Sequence, residues 1–501
     1  MSMAIIGGGI TGLTAAFRLR RAGIPVTLYE ASHRTGGVIQ TTRADGFLAE
    51  SGPNTLLETS PVISGLVRDL GLESKRLYSN PEARNRYVAR HGRPTPVPDS
   101  PVGMFTSKLF SAGAKFRLLT EPFVRRADPH VEESVTQFVV RRLGREFLDY
   151  AINPMIAGIY AGDPARLSVT HAFPKLREVE QQYGSLILGQ ILGARARARR
   201  KEVSKQTAPK FSFPEGLQTL TDALHQELRD CVRLHSNVRA IRQKPDRWEL
   251  DVTGANGEMA CEHDAVLLAG TAHKLAQIPL ETSQNLSLAP LGDIPYAPVA
   301  SLVLGFRRED VEHPLDGFGV LVPEVEHLNI LGALFSSSLF PHRAPAGHVT
   351  ITCYVGGLRA PALATLDTKS IVELAMGDLR TLLGVRGRPV FVHHTVYPKA
   401  IPQYEVGFGR FRDLMDELEE HAPGLFLAGH YRDGISLSDS LLSGDRAAER
   451  LRAFVASRAS AARLHPNHAS GAEPHEHIGG PGSRHREAEA AQLDASQHRG
   501  F

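Results

Sequence analysis

The sequence predicts an α/β fold built from more than one lobe, and three features carry that expectation. The first 30 residues run from an apolar stretch through a glycine-rich turn into an amphipathic stretch and a second apolar run, the order strand, turn, helix, strand. Residues from about 131 to 196 are rich in helix formers at helical spacing, whereas those from about 295 to 396 are rich in Val, Phe, Tyr and Thr with glycines between short runs. At 501 residues the chain is also longer than one hydrophobic core organises.

Taken in order, Ala4-Ile5-Ile6 reads as a strand, the helix runs through Arg21, and Val26-Thr27-Leu28-Tyr29 reads as the next strand. Asp264 to Gly270 and Gly424 to Gly429 have the same short apolar pattern between turn residues and look like further strands of the first lobe. That lobe is therefore expected to be assembled from residues 1–85, 206–290 and 400–455, with a helical lobe over 86–205 and a sheet-rich lobe over 291–399. After about Val455 the composition shifts to Ala, Gly, His, Pro, Ser and Arg, so 456–501 is expected to be a disordered tail. Its histidines, His465, His468, His475, His477, His485 and His498, lie among Gly and Pro and are read as a solvated extension, with no metal site expected.

Composition narrows the partners. Hydrophobic residues make up 42% and charged residues 22%, with a net charge of only +3, and no segment combines basic and aromatic residues as a nucleic-acid surface would. Cys231, Cys261 and Cys353 form no CxxC pair, which argues against a disulfide framework or a thiolate metal site and fits a reducing compartment. No apolar run reaches about 18 residues, and the glycine-rich motif begins at Gly7, leaving no room for a leader; a cytoplasmic protein is expected. The basic run Ala194 to Lys201 reads as a solvated face, or more sharply as a contact for anionic lipid head groups.

Gly7-Gly8-Gly9-Ile10-Thr11-Gly12 is GxGxxG between a strand and a helix, with Glu30 at the end of the second strand. In a Rossmann-like unit, Gly7 allows the tight turn, Gly9 lets the backbone approach a pyrophosphate and Gly12 lets helix and strand pack closely. The helix N-terminus presents free N–H groups to the phosphate charge, and Glu30 can accept from a ribose diol. The motif alone holds an ADP moiety and does not separate NAD from FAD.

Further segments decide between them. Arg34-Thr35-Gly36-Gly37, Glu50-Ser51-Gly52-Pro53-Asn54-Thr55, and Ala428 to Leu437 followed by Ser443-Gly444 resemble loops of the amine-oxidase-like FAD superfamily. The resemblance implies non-covalent FAD held by Gly7, Gly8, Gly9, Ile10, Thr11, Gly12, Glu30, Ala31, Gly36, Gly37, Val38, Gly52, Pro53, Asn54, Thr55, Val238, Ile435, Ser436 and Leu437. His430 departs from the superfamily pattern, where Asn or an acid is usual.

Ile152 to Pro164, Asn85 to Gly92, Asp316 to Leu321, Leu331 to Phe335 and Tyr354 to Gly357 resemble the protoporphyrinogen oxidase family, and with the flavin motifs the match spans nearly all of residues 1–455. The resemblance implies a Rossmann-like FAD-binding domain, a sheet-rich α+β substrate domain and an α-helical domain of the membrane-binding type. It further implies that Arg86 pairs with a propionate, Leu321 and Leu334 sandwich a pyrrole ring, Tyr354 packs on another, and the Gly158 carbonyl meets the ring nitrogens. Tyr354 departs from the Phe usual in the plant relatives. The implied activity is oxidation of protoporphyrinogen IX to protoporphyrin IX in haem biosynthesis, with molecular oxygen as acceptor and no side-chain base or metal. A homodimer, peripheral on the inner face of the cell membrane, is expected. Three alternatives stay open: a coproporphyrinogen III oxidase, which a further cation in the pocket would favour; a flavin amine oxidase or carotene desaturase; and a non-catalytic tetrapyrrole-binding flavoprotein.

Overall fold

The structure, a computed structural model, describes residues 1–200, 208–255 and 257–464; the side chains of 101, 194–200 and 461–464 lie outside the description. Residues Met1–Val455 form one compact unit. Its first sheet is parallel and five-stranded, in the order Val232–Arg233, Val26–Tyr29, Met3–Ile6, Ala265–Leu268, Leu425–Leu427. Met3–Ile6 and Ala265–Leu268 are buried along their whole length, as a parallel sheet covered on both faces requires.

Alternate residues serve the two sides. Met3, Ile5, Leu28 and Leu267 pack on the helices Ile10–Arg21 and Gln218–Leu228 through Leu13, Phe17, Leu220 and Leu224. Ala4, Ile6, Val266 and Leu268 face Trp248, Leu250 and Val252 of a four-stranded sheet, and Met415 and Leu418 of the helix Gly409–His421. The strands expected near residues 264 and 424 thus join those of the opening βαβ unit.

The second sheet has seven strands, in the order Phe391–Pro402, Tyr296–Arg307, His348–Gly356, Ile330–Leu334, Gly317–Leu321, Asn85–Arg90, Arg93–Pro96. One face is covered by the helix Thr368–Leu383, whose Ile371, Ala375, Leu379 and Leu382 meet Leu302, Leu304, Ile351, Cys353 and Val355. The sheet corrects the expected start of the helical lobe at residue 86. Residues 85–96 are its last two strands, because Asn85–Arg90 pairs in parallel with Gly317–Leu321, a partner more than 200 residues away.

Helices follow from Pro101 to Arg200. Ser134 and Gln137 form a capping box at the start of Val135–Arg142. Arg142, fully buried, donates to Glu180 Oε1 at 2.6 Å and Glu121 Oε1 at 3.1 Å, and Glu121 accepts from the Leu186 backbone N–H at 2.9 Å. The last helix runs Leu437–Leu464, so the first residues of the expected disordered tail are helical instead. The remainder of that tail, 465–501 with its six histidines, lies outside the described residues, as do the side chains of the whole basic run 194–201.

Candidate active site

Three loops converge at the carboxyl ends of the parallel strands, where such sheets hold ligands. Gly7 has a φ of 112°, and a Cβ on it would meet the Gly270 nitrogen at 2.8 Å. Gly8 donates its N–H to Glu30 Oε2 at 2.7 Å, and Ser32 N–H reaches Oε1 at 2.8 Å, which fixes the carboxylate and leaves it further lone pairs for a diol. Gly12 packs on the turn, since a Cβ there would stand 2.0 Å from the Gly7 carbonyl oxygen. Gly9 is different: a Cβ on it would meet nothing within 4 Å. As the N-cap of Ile10–Arg21 it brings no capping side chain, and the first turn holds no acid, so the helix N-terminus is left to an external anion.

The second loop folds onto the first. Gly36 N–H donates to the Gly8 carbonyl at 2.8 Å, and the Cβ position of Gly37 lies 3.5 Å from Gly9 Cα. Gly52 in turn packs on the second loop, its Cβ position 2.4 Å from the Val38 carbonyl oxygen. Ala31 and Val38 are exposed, and Pro53, Asn54 and Thr55 are half-buried. Across from them, Thr11 Oγ1 donates to the Ser440 carbonyl at 2.9 Å, and Gly444 leaves space for the Thr11 carbonyl, which would stand 2.2 Å from a Cβ. These contacts set the start of Leu437–Leu464, with Ile435 and Ser436 before it, beside the start of Ile10–Arg21. Val238 belongs to the core with Trp248 and Val252, which leaves only its backbone to offer.

His430 stands at the turn before Leu437. Its ring meets Tyr296 edge-on at 5.8 Å, and burial together with nearby His273 lowers its pKa to about 4, so the imidazole is neutral. Tyr404 donates to the His430 carbonyl and accepts from Gly434 N–H at 3.0 Å, holding the turn closed. Neither Tyr296 nor Tyr404 carries a motif by which the sequence would have marked it.

The candidate substrate residues gather on the face of the seven-stranded sheet that turns away from Thr368–Leu383. Residues opposite one another across a ladder share a face. Arg86 is opposite Gly319, and Gly319 opposite Leu334; Leu321 is opposite Gly332, and Gly332 opposite Tyr354. Arg86 is exposed, while Leu321, Leu334 and Tyr354 are half-buried. Gly158 approaches from the last turn of Asn153–Tyr160, where helix carbonyls lack partners further along; a Cβ on it would stand 2.6 Å from Leu321 Cδ2. Asn54 Nδ2 donates to Tyr354 Oη at 2.7 Å, so the third loop touches the sheet directly. Burial pushes the Tyr354 phenol well above its ordinary pKa, which keeps it neutral.

Residues 10–452 match the family model of flavin-containing amine oxidoreductases. The chain belongs to this family. Relatives include the mitochondrial protoporphyrinogen oxidase of Nicotiana tabacum, 35% identical over 92% of this chain and 97% of that one. The coproporphyrinogen III oxidase of Bacillus subtilis is 30% identical over 88% and 96%. A crystal structure from Exiguobacterium sp. 255-15 shares the fold at a TM-score of 0.76, with 24% identity, covering 90% of this chain and 98% of that one.

As a member of the flavin-containing amine oxidoreductases, the protein is an FAD-dependent oxidoreductase. Its residues fit the cofactor. Open space at Gly9, an uncapped helix N-terminus, a fixed Glu30 carboxylate and a second helix start beside the first are what a dinucleotide requires.

Proposed function

We propose that this oxidoreductase converts protoporphyrinogen IX to protoporphyrin IX in haem biosynthesis, with molecular oxygen as the final acceptor. The observation that carries the reading is the sheet face of Arg86, Leu321, Leu334 and Tyr354, joined to the flavin loops by the 2.7 Å bond from Asn54 to Tyr354. A porphyrinogen is a broad apolar macrocycle with carboxylates on its rim, so it needs apolar walls and a rim cation rather than a cluster of acids and bases. Bound FAD supplies the hydride acceptor. In this reading Leu321 and Leu334 flank one pyrrole, Tyr354 covers another, the Gly158 carbonyl meets the ring nitrogens and Arg86 meets a propionate. Residues 1–84, 206–290 and 403–455 then serve the cofactor and 85–96 with 291–402 the substrate.

Coproporphyrinogen III is the second reading, and Lys210 favours it. Lys210 is half-buried, and its ammonium pKa is lowered by burial and by the neighbouring charge of Arg86, so two cations stand near one another where carboxylates would be held. Side-by-side assays with the two porphyrinogens, following porphyrin fluorescence and peroxide, decide between them. The protoporphyrinogen reading fails if only coproporphyrinogen is oxidised, and the oxygen assignment fails if no peroxide forms.

The proposal includes a membrane surface. Among the described residues no helix is long and apolar enough to cross a membrane. The helical segment nevertheless exposes Val102, Phe116, Phe123, Ile191 and Leu192, Phe123 at 88%. Exposed apolar side chains of this size, with the exposed Lys108 between Val102 and Phe116 in the sequence, support peripheral attachment at the inner face of the cell membrane. A cytoplasmic homodimer completes the reading, with light scattering in detergent as its test.

A further inference from the structure

Lys210 stands where the cofactor lobe meets the seven-stranded sheet. Its strand, Lys210–Ser212, pairs with Leu56–Leu57, just past Asn54 of the third loop, and with Leu77–Tyr78, which leads on to Asn85–Arg90. Ser79 N–H donates to the Lys210 carbonyl at 2.9 Å, so Lys210 is tied to the segment that carries Arg86 into the sheet. Alternate residues of a strand face opposite sides. Phe211 turns into the core of the first sheet, whereas Ser212 turns the other way and its Oγ accepts from Nη2 of Arg343 at 2.6 Å. Arg343 belongs to the connection between Ser336–Leu339 and His348–Gly356, so the side that Lys210 shares with Ser212 is the side of the substrate sheet. Lys210 is half-buried, and among the described residues its ammonium donates only to the Ala208 carbonyl, at 3.4 Å, with no carboxylate within 4 Å. Burial and the charge of Arg86 both disfavour the ammonium form, and no acid offsets them. Two cations side by side, one of them half-buried, are a conflict in the free protein that bound anions remove.

We infer that Lys210 is a second carboxylate-binding residue of the porphyrinogen site, its ammonium and the Arg86 guanidinium holding two propionates borne on neighbouring pyrroles. The inference rests on the porphyrinogen reading and deepens it. A single cation fixes one point of the rim and leaves the macrocycle free to turn about it; two cations fix an edge. The propionate-bearing edge then stays between the cofactor lobe and the sheet, at Lys210 and Arg86, and the rest of the ring is left for the apolar walls. Lys210 thereby sets the orientation in which the substrate is presented, without touching the carbon that is oxidised.

The test uses flavin-loaded protein and whichever of the two porphyrinogens the wild type oxidises, with its methyl ester as a competitor that lacks the carboxylates. Lys210→Met keeps an unbranched side chain and removes its charge. It should raise KM for the acid roughly fivefold, leave kcat and FAD content unchanged, and melt no lower than wild type, since it removes a like charge beside Arg86. The ester should inhibit wild type and variant with equal Ki. Lys210→Arg, which keeps the charge, should bring KM back toward the wild-type value. Wild-type KM in Lys210→Met, a raised KM that Lys210→Arg does not lower, or an ester Ki that rises together with KM would each overturn the inference. If Lys210→Met does not fold, Lys210→Gln decides by the same readings, and failure of both to fold would make Lys210 a structural residue and overturn the inference. A wild type that oxidises neither porphyrinogen overturns the porphyrinogen reading, and this inference with it.

Discussion

At the scale of single residues, Arg86 and Gly9 separate substrate from cofactor. Arg86 is exposed in the free protein, so its pair with a propionate is worth about 1 kcal/mol, and Arg86→Ala should lower kcat/KM for the porphyrinogen roughly fivefold. FAD content should stay at the wild-type level. Arg86→Lys should recover only part of the loss, because an ammonium does not reproduce the two-pronged contact of guanidinium with carboxylate. Wild-type kcat/KM in Arg86→Ala would remove the propionate role. Gly9→Val makes the opposite prediction. Its Cβ would meet no protein atom within 4 Å, so the chain should fold, but its side chain would fill the approach to the pyrophosphate. The purified variant should be colourless, with helix content by circular dichroism unchanged; a yellow variant would move the phosphate site elsewhere.

At the scale of elements, buried polar groups fix how the pieces join. Arg142 ties Val135–Arg142 to Pro174–Tyr183 through Glu180 and to the turn at Glu121, which in turn caps the helix from Leu186. Arg142→Ala would leave Glu121 and part of Glu180 buried without their cation, a loss of about 3–5 kcal/mol that a denaturant midpoint would register. The turn at His430 is sensitive to pH instead. Its folded pKa of about 4 lies below the ordinary value near 6.5, so between those limits the unfolded chain binds more protons. Stability therefore falls as pH drops from about 6.5 toward 4, with up to about 2 kcal/mol from this group at pH 5. His430→Asn should show a smaller drop in Tm between pH 7 and pH 5 than wild type. An equal drop in both would assign the acid sensitivity to other buried groups.

At the scale of the molecule, the cofactor lobe was legible and the substrate lobe only in part. The Gly7 to Gly12 turn follows a short apolar strand and precedes a helix, so its neighbours in sequence are its neighbours in space, and local pattern suffices. Asn85–Arg90 carries only the short apolar run Tyr87-Val88-Ala89, and its parallel partner Gly317–Leu321 lies beyond the whole helical segment, so nothing local in the sequence assigns it to the sheet rather than to the start of that segment. The Asn54 to Tyr354 bond spans 300 residues and has no local trace in the sequence. Exposure is hidden in the same way: Phe116 and Phe123 are ordinary core residues by type, and only the fold leaves them outward, at 68% and 88%. Their exposure sets the last prediction. A patch of large apolar side chains on a soluble surface is costly in water and gains when it enters the boundary between head groups and acyl chains. Wild-type protein should therefore float with vesicles containing anionic lipid, whereas a Phe116→Ser, Phe123→Ser double variant should remain in the soluble fraction, retain its flavin and oxidise detergent-dispersed porphyrinogen at the wild-type rate. Loss of both flotation and turnover would mean that the two rings support the fold. Flotation unchanged by the substitutions would leave the membrane contact to another surface, and wild-type protein that fails to float would end the membrane proposal.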